Sequence, residues 1–246
     1  EGNTLEFIGS LAPIAIIVIG FRAPILGHCV DMSQAGDSHS SGRALLFTGF
    51  VVTGFVTTVL GPVLPWLTVR WSLTDAAAGA LFTIQFTGSI VAGALSGLIV
   101  AGIGSSRTLA TGYALMATGL AGLALGDREV GTLAIGVAGV GLGFVVPTTN
   151  LLVARLTPEH AAAALGAVNC CWGLGAATWP VVVARFNPAP GVPIALLFVS
   201  TLLLLVAARM AAARFPAHAL HETASPTAQP LPWRRSSWPC VASNSR

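Results

Sequence analysis

Amide, hydroxyl and indole side chains interrupt the long apolar runs of this 246-residue chain. Residues 143–150 read GFVVPTTN, so a proline, two threonines and an asparagine lie in a run that carries no charge. An amide in hydrocarbon is costly unless it meets a hydrogen-bonding partner or a water-filled cavity. Two interpretations stay open for such residues: a hydrogen bond between helices, or the lining of a polar cavity.

Helical periodicity groups these side chains on common faces. Asn150 shares a face with Gly139, Gly143 and Pro147, Gln85 shares one with Ser89 and Ser96, and Asn169 shares one with Trp172 and Ala176. Amides and an indole can hydrogen-bond to and stack on a hydroxyl-rich ligand. We therefore expect a polar cavity that is bordered by five residues: Gln85, Thr149, Asn150, Asn169 and Trp172.

The same runs contain no group suited to catalysis or metal binding. A membrane-embedded hydrolase needs a histidine or an acid inside the membrane, as a base or as a metal ligand. All histidines lie outside the runs, at His28, His39, His160, His218 and His221. The four cysteines show no CxxC spacing and are interpreted as small packing residues: Cys29, Cys170, Cys171 and Cys240. We expect no enzyme activity, no cofactor and no metal.

The composition indicates which elements position these residues. The chain is 54% hydrophobic and 9% charged, with mean hydropathy +0.80, against about 25% charged residues in soluble domains. A helix of about 20 apolar residues crosses the bilayer core. Six uncharged segments are long enough, at residues 44–69, 76–106, 108–126, 130–154, 161–184 and 186–208. They predict an all-α polytopic protein with six transmembrane helices in a lipid bilayer.

The remaining segments complete the predicted organisation. Residues 1–43 form an irregular N-terminal segment with a short apolar run at 7–21, residues 44–213 form the six-helix bundle, and residues 214–246 form a disordered cytoplasmic tail or the start of a central loop. Residues 31–42 resemble the tail in composition. The distribution of arginines favours two cytoplasmic termini, and we expect a bacterial inner (plasma) membrane. No cluster of basic and aromatic residues predicts nucleic-acid binding.

Glycine and proline form a second pattern within the spans. Small-residue pairs suited to close helix packing occur at residues 93 and 97, 122 and 126, and 139 and 143. GPVLP at residues 61–65 and GFVVP at residues 143–147 suggest equivalent interrupted helices in two three-helix repeats, a pattern typical of a solute path. The residues expected to bend helices are Pro62, Pro65 and Pro147. Beside the last of them, Thr148, Thr149 and Asn150 can satisfy freed backbone groups or meet solute.

Residues 44–213 resemble the N-terminal half of a major facilitator superfamily transporter. The segment from 45 to 107, LLFTGFVV to GIGSSR, is similar to the first two helices and to the loop motif G-x-x-x-D-R-x-G-R-R. Gly97 and Gly104 match the motif glycines, and Arg107 is the only base left. Ala101 and Gly102 stand where the family has Asp-Arg, so the resemblance does not extend to the charge latch of that motif.

Residues 139–180 resemble the fourth and fifth helices of the fucose-permease branch. That branch has an acid where this chain has Val146, and another is expected where it has Pro62. The resemblance implies a carrier of a small polar solute such as a sugar, with any ion coupling located in a second half or with facilitated diffusion. It also implies a second six-helix half, as a missing C-terminal half, a separate chain or a homodimer partner, so the chain is interpreted as a half or a fragment. The alternative is a non-transporting six-helix scaffold or a degraded remnant.

Overall fold

The computed structural model describes residues 37–186, 191–213 and 215, and all regular elements among them are helical. In chain order these are α1 (Asp37–Thr57), α2 (Leu60–Trp71), α3 (Asp75–Ile103), α4 (Ser105–Leu125), α5 (Arg128–Leu156), a 3-10 turn (Pro158–His160), α6 (Ala161–Phe186) and α7 (Gly191–Ala212).

Six helical segments are long and apolar enough to cross a membrane, which confirms the predicted fold class. The first span is made of α1 and α2 together. The six segments are Gly42–Trp71, Asp75–Ile103, Ser105–Leu125, Arg128–Leu156, Pro158–Arg185 and Gly191–Ala212. Within the described chain, the second and fifth spans are the least buried of the six.

The helix ends carry the polar groups that the sequence places between spans. The hydroxyl of Thr74 accepts from the backbone N–H of Ala77 at the start of α3, and Asp127 Oδ1 accepts from Val130 N at 3.0 Å at the start of α5. Such caps satisfy N–H groups that have no partner inside the helix. Ser72 follows the last residue of the first span. It has φ +50° and ends α2 in the left-handed conformation.

Two predicted boundaries were wrong. α1 begins at Asp37, so residues 37–43 are helical although the sequence placed them in the irregular N-terminal segment. Residues 105–106 belong to α4 rather than to the second span, because the chain turns at Gly104 with φ +85°. The positions of charged residues indicate which part of a helix lies in hydrocarbon. They do not reveal helical turns with polar residues outside the membrane core, as at residues 37–43, or a chain reversal at a single glycine, as at Gly104.

The core is a set of helix pairs that pack at close range. α5 packs against both α3 and α4, α4 also packs against α7, and α1 packs against α6. A Cβ on Gly141 would lie 2.5 Å from the carbonyl oxygen of Gly112, and one on Gly119 would lie 2.6 Å from that of Ala134. Helices in lipid associate through such backbone contacts, so these glycines are structural.

The predicted small-residue pairs differ in whether they pack against another helix. Of the three small-residue pairs, the one at residues 139 and 143 packs directly on α3, whereas nothing lies within 4 Å of a Cβ added to Gly97. Gly126 ends α4 as its C-cap. The apolar run at 7–21 and the predicted tail lie outside the described residues, apart from Phe215.

Candidate functional site

The helix of the first span is distorted at its centre, at residues 58–59, which are called the interruption below, although Val59 keeps helical φ and ψ values of −54° and −42°. α1 ends at Thr57 and α2 begins at Leu60, and between them Thr58 N donates to Gly54 O and Val59 N donates to Val56 O, each at 3.3 Å. The prolines at positions 62 and 65 explain this break. A proline has no N–H, so the carbonyls four residues earlier lose their helical donors.

The fourth span differs from the first in this respect. α5 runs from Arg128 to Leu156 without interruption and contains Pro147. The fourth span therefore has no distortion at GFVVP like the one at residues 58–59, and the equivalence of the two segments stays a prediction. A single proline there removes one helical hydrogen bond, whereas Pro62 and Pro65 remove two within one turn of the first span. Bending at the three prolines stays a prediction.

Trp172 links the fifth span to the interruption. Its Nε1 donates to Thr57 Oγ1 at 3.2 Å, and the two residues lie at the centres of their spans. The helices approach closely here because a Cβ on Gly54 would lie 2.7 Å from Ala176 N, and one on Gly175 would meet the carbonyl of Val51. Trp172 is half-buried.

Gln85 reaches the interruption from α3. Its Nε2 donates to Val56 O at 3.0 Å, while its Oε1 has no hydrogen-bond partner and the residue is 1% exposed. The backbone of α3 at Gln85 contacts Gly139 of α5, where a Cβ would collide with the carbonyl of Gln85. The glycine therefore lets α3 approach α5 closely at the level of Gln85.

Two asparagines form a second polar group. Asn169 Nδ2 donates to Asn150 Oδ1 at 3.3 Å and to Leu165 O at 2.7 Å, and Asn150 Nδ2 donates to Val146 O at 3.1 Å. Asn150 is half-buried, whereas Asn169 is exposed on the face of α6. An amide that is exposed on a membrane helix is costly in hydrocarbon unless it meets a polar group or water.

Thr149 makes no side-chain hydrogen bond to the other four predicted residues, although it is the chain neighbour of Asn150. It is fully buried, and the hydroxyls of Thr148 and Thr149 have no hydrogen-bond partner. Neither hydroxyl bonds the carbonyl of Gly143, which lost its donor to Pro147. A threonine hydroxyl reaches the carbonyl three or four residues earlier, and Gly143 is five and six residues away.

The structure thus places four of the five predicted cavity residues in two groups that are held by three hydrogen bonds. Gln85 and Trp172 both bond to the segment around the interruption, and Asn169 lies one helical turn before Trp172 while it touches Asn150. Sequence analysis missed Thr57 and Trp179, whose Nε1 donates to Val59 O at 3.4 Å. Thr57 stands just before GPVLP, which the sequence shows, whereas the bond from Trp179 to Val59 depends on which helices touch.

The three positions of the loop motif have different surroundings. Gly97 lies inside α3 and is exposed, Gly104 forms the whole connection between α3 and α4, and Arg107 is exposed in the first turn of α4. Beside them, Ser106 Oγ donates to the carbonyl of Ala213 at 2.7 Å. A position that is basic in the motif is therefore a neutral cap on the end of α7.

The arrangement offers neutral hydrogen-bond donors and acceptors. The sequence has no Asp, Glu, Lys, Arg or His inside the six uncharged segments. Among the described residues, Cys170 is an exposed thiol beside Asn169, and no three His, Cys, Asp or Glu side chains lie close enough to hold a metal. The side chains around the interruption are of the neutral kind that hydrogen-bond to an uncharged polar molecule or stack on it.

Comparisons with known proteins identify the family. The family model described as Major Facilitator Superfamily matches residues 46–245, which is most of the chain. The comparisons with curated proteins and with solved structures give no match. The fucose-permease branch stays a prediction. With six membrane-spanning helices and this family match, the chain belongs to the major facilitator superfamily and is a membrane transport protein of that family.

Proposed function

We propose that the chain carries a small, uncharged polar solute, with sugars as the first class to test, along a path bordered by Trp172, Asn169 and Asn150. The observation that carries the proposal is the hydrogen bond from Trp172 to Thr57, because it lies at mid-depth beside an interrupted helix. Transporter sites are typically found near the bilayer midplane at discontinuous helices.

The charge pattern supports a neutral solute. A charged solute at this depth would need an opposite charge, and the uncharged segments provide none. Proton coupling typically uses an Asp, Glu or His inside the membrane. Transport without proton coupling through this half is therefore part of the proposal.

The exposed faces support a second helical bundle as partner. Asn169 presents its amide outside the described body, and the second and fifth spans have the least buried surfaces. A second six-helix half, in the same protein, in a separate chain or in a second copy, would cover these faces and close the solute path. We place both termini in the cytoplasm and the protein in a bacterial inner membrane.

Uptake into proteoliposomes tests the proposal. The purified chain is reconstituted, and uptake of radiolabelled xylose, glucose and glycerol is measured with and without a protonophore. We expect saturable uptake of at least one solute that the protonophore does not change. Protonophore-sensitive uptake would contradict uncoupled transport, and a folded protein that moves none of these solutes would favour the scaffold alternative.

A pair of variants on α6 links the uptake to the site. Asn169→Ala removes the exposed amide and its contact with Asn150, and we expect about a tenfold lower uptake rate, the equivalent of 1.4 kcal/mol. Gly166→Ala is the control, since nothing lies within 4 Å of the added methyl group. Equal rates for the two variants at equal protein amounts would remove Asn169 from the path.

A further inference from the structure

The carbonyl oxygen of Gln85 is a buried acceptor without a donor. Gln85 is 1% exposed, its Nε2 is engaged by Val56 O at 3.0 Å, and its Oε1 has no partner. Because the two ends of one amide are about 2 Å apart, the free oxygen lies next to the interrupted segment. Buried polar atoms without partners are rare and call for an explanation, such as a ligand that is bound in another state.

The surrounding donors are already engaged. Trp172 Nε1 bonds to Thr57 Oγ1, and Trp179 Nε1 bonds to Val59 O. Thr57 itself donates to Thr53 O at 2.9 Å. The hydrogens of these two indoles and of the Thr57 hydroxyl are therefore used within the protein, whereas the amide of Gln85 keeps its second N–H.

The acceptors, by contrast, are in excess. The hydroxyl of Thr58 donates to Gly54 O at 3.1 Å and lies 3.4 Å from Ala176 O. The carbonyl of Thr58 loses its helical donor because Pro62 has no N–H. Gln85 Oε1 and this carbonyl are therefore two acceptors at the interruption, beside one remaining donor, the second N–H of Gln85 Nε2.

We propose that Gln85 Oε1, beside the interruption at residues 58–59, is the specificity site that accepts a hydrogen bond from a hydroxyl group of the transported solute. This inference rests on the proposed function and adds the direction of one hydrogen bond, in which the solute donates and Gln85 accepts. The site is occluded in the described conformation, and the solute reaches it when the first span moves at its interruption. A solute that offers only acceptors at this position is rejected, because Gln85 Oε1 would stay unpaired.

Thermal unfolding of the full chain in detergent tests the inference without requiring transport. Wild type and Gln85→Met are heated with xylose, glucose or glycerol, and with the mono-deoxy analogues of each sugar. Ligand binding to the folded state raises the Tm, and at a fixed ligand concentration a tighter ligand raises it more. Thr83→Val is the control on the same helix, because Thr83 is exposed and its hydroxyl bonds to Gly79 O within α3.

The expected result is a pattern across variants. For one hydroxyl of a solute, wild type and Thr83→Val should bind the parent sugar about tenfold more tightly than the analogue that lacks this hydroxyl. Gln85→Met should bind the parent sugar and this analogue equally. Discrimination that persists in Gln85→Met, or the absence of any Tm shift in wild type, overturns the inference.

One further outcome would identify a different occupant of the same acceptor, and another would separate this inference from the proposed function. A Tm shift with NaCl but not with choline chloride that disappears in Gln85→Met would assign the oxygen to a cation and overturn the inference. Binding of a sugar through Gln85 without uptake into proteoliposomes would support the inference and contradict the proposed function. The two proposals can therefore fail separately.

Discussion

The indole nitrogen of Trp172 donates a hydrogen bond to the hydroxyl of Thr57 across 3.2 Å, and this bond joins the centre of the fifth span to the point where the first span is interrupted. Thr57 in turn donates to Thr53 O within α1. The helix end on one side of the interruption is therefore held both by its own backbone and by a neighbouring helix.

Replacing Trp172 by Phe separates the role of the donor from that of the ring. The variant keeps most of the apolar surface and loses one hydrogen bond, so we expect a loss of about 1 kcal/mol in the free energy of unfolding and a larger relative loss in solute uptake. The Tm in detergent and uptake into proteoliposomes measure the two effects. Thr178→Val, which removes a hydroxyl bonded within α6 to Leu174 O, is the control. Equal uptake by both variants would exclude Trp172 from the path.

Replacement by alanine should have opposite effects on stability at two glycines of α6, because their surroundings differ. A Cβ on Gly175 would meet the carbonyl of Val51 and lie 3.3 Å from Gly54 Cα, whereas nothing lies within 4 Å of one on Gly173. Because backbone atoms of α1 cannot move aside cheaply, Gly175→Ala should lower the free energy of unfolding by about 1–3 kcal/mol. Gly173→Ala should leave it unchanged or raise it by about 0.5–1 kcal/mol.

The comparison of these two glycine variants checks the close approach of α1 and α6. Thermal unfolding of both in the same detergent gives the sign of each change. A stable Gly175→Ala would mean that the two helices are further apart at this level than the structure has them.

Arg70 joins the ends of the first and third spans. Its Nη1 donates to Ala124 O and its Nη2 to Gly126 O, each at 2.9 Å, and its guanidinium lies 4.8 Å from the ring centre of Trp66. A lysine cannot reproduce a planar fork over two carbonyls. Arg70→Lys should therefore lower the free energy of unfolding by about 1 kcal/mol, and Arg70→Ala by about the same or slightly more. Thermal unfolding in detergent measures both changes, and full stability of Arg70→Lys would show that charge alone is sufficient at this position.

The number and approximate positions of the spans could be predicted because they depend on one strong effect. Charged residues are excluded from hydrocarbon, so the uncharged runs between Arg43, Arg70 and Arg107 locate helices without any knowledge of packing. The exact ends depend on local groups instead. Asp37 starts a helix before the apolar part of the first span, and Gly104 turns the chain with a backbone conformation that composition does not reveal.

The site was predicted in part for a similar reason. Amides such as Gln85 and Asn169 stand out in an apolar sequence, and helical periodicity places each on a face. The partners of these amides depend on which helices touch, which one sequence does not contain. Thr149 illustrates the limit, because it is polar like the other four residues but fully buried, with a hydroxyl that has no hydrogen-bond partner.

Gly104 tests the effect of backbone conformation on stability, because an added Cβ would meet no neighbouring atom there. It is the one residue between α3 and α4, its φ is +85° and its ψ is 160°, and nothing lies within 4 Å of an added Cβ. This region of conformational space is essentially restricted to glycine, so Gly104→Ala should lower the free energy of unfolding by about 1–3 kcal/mol. Gly102→Ala is the matched control, because that helical glycine also has open space around it. If the two alanine variants unfold at the same temperature, the connection between α3 and α4 does not require a positive φ, and the sharp turn at the motif position would need another explanation.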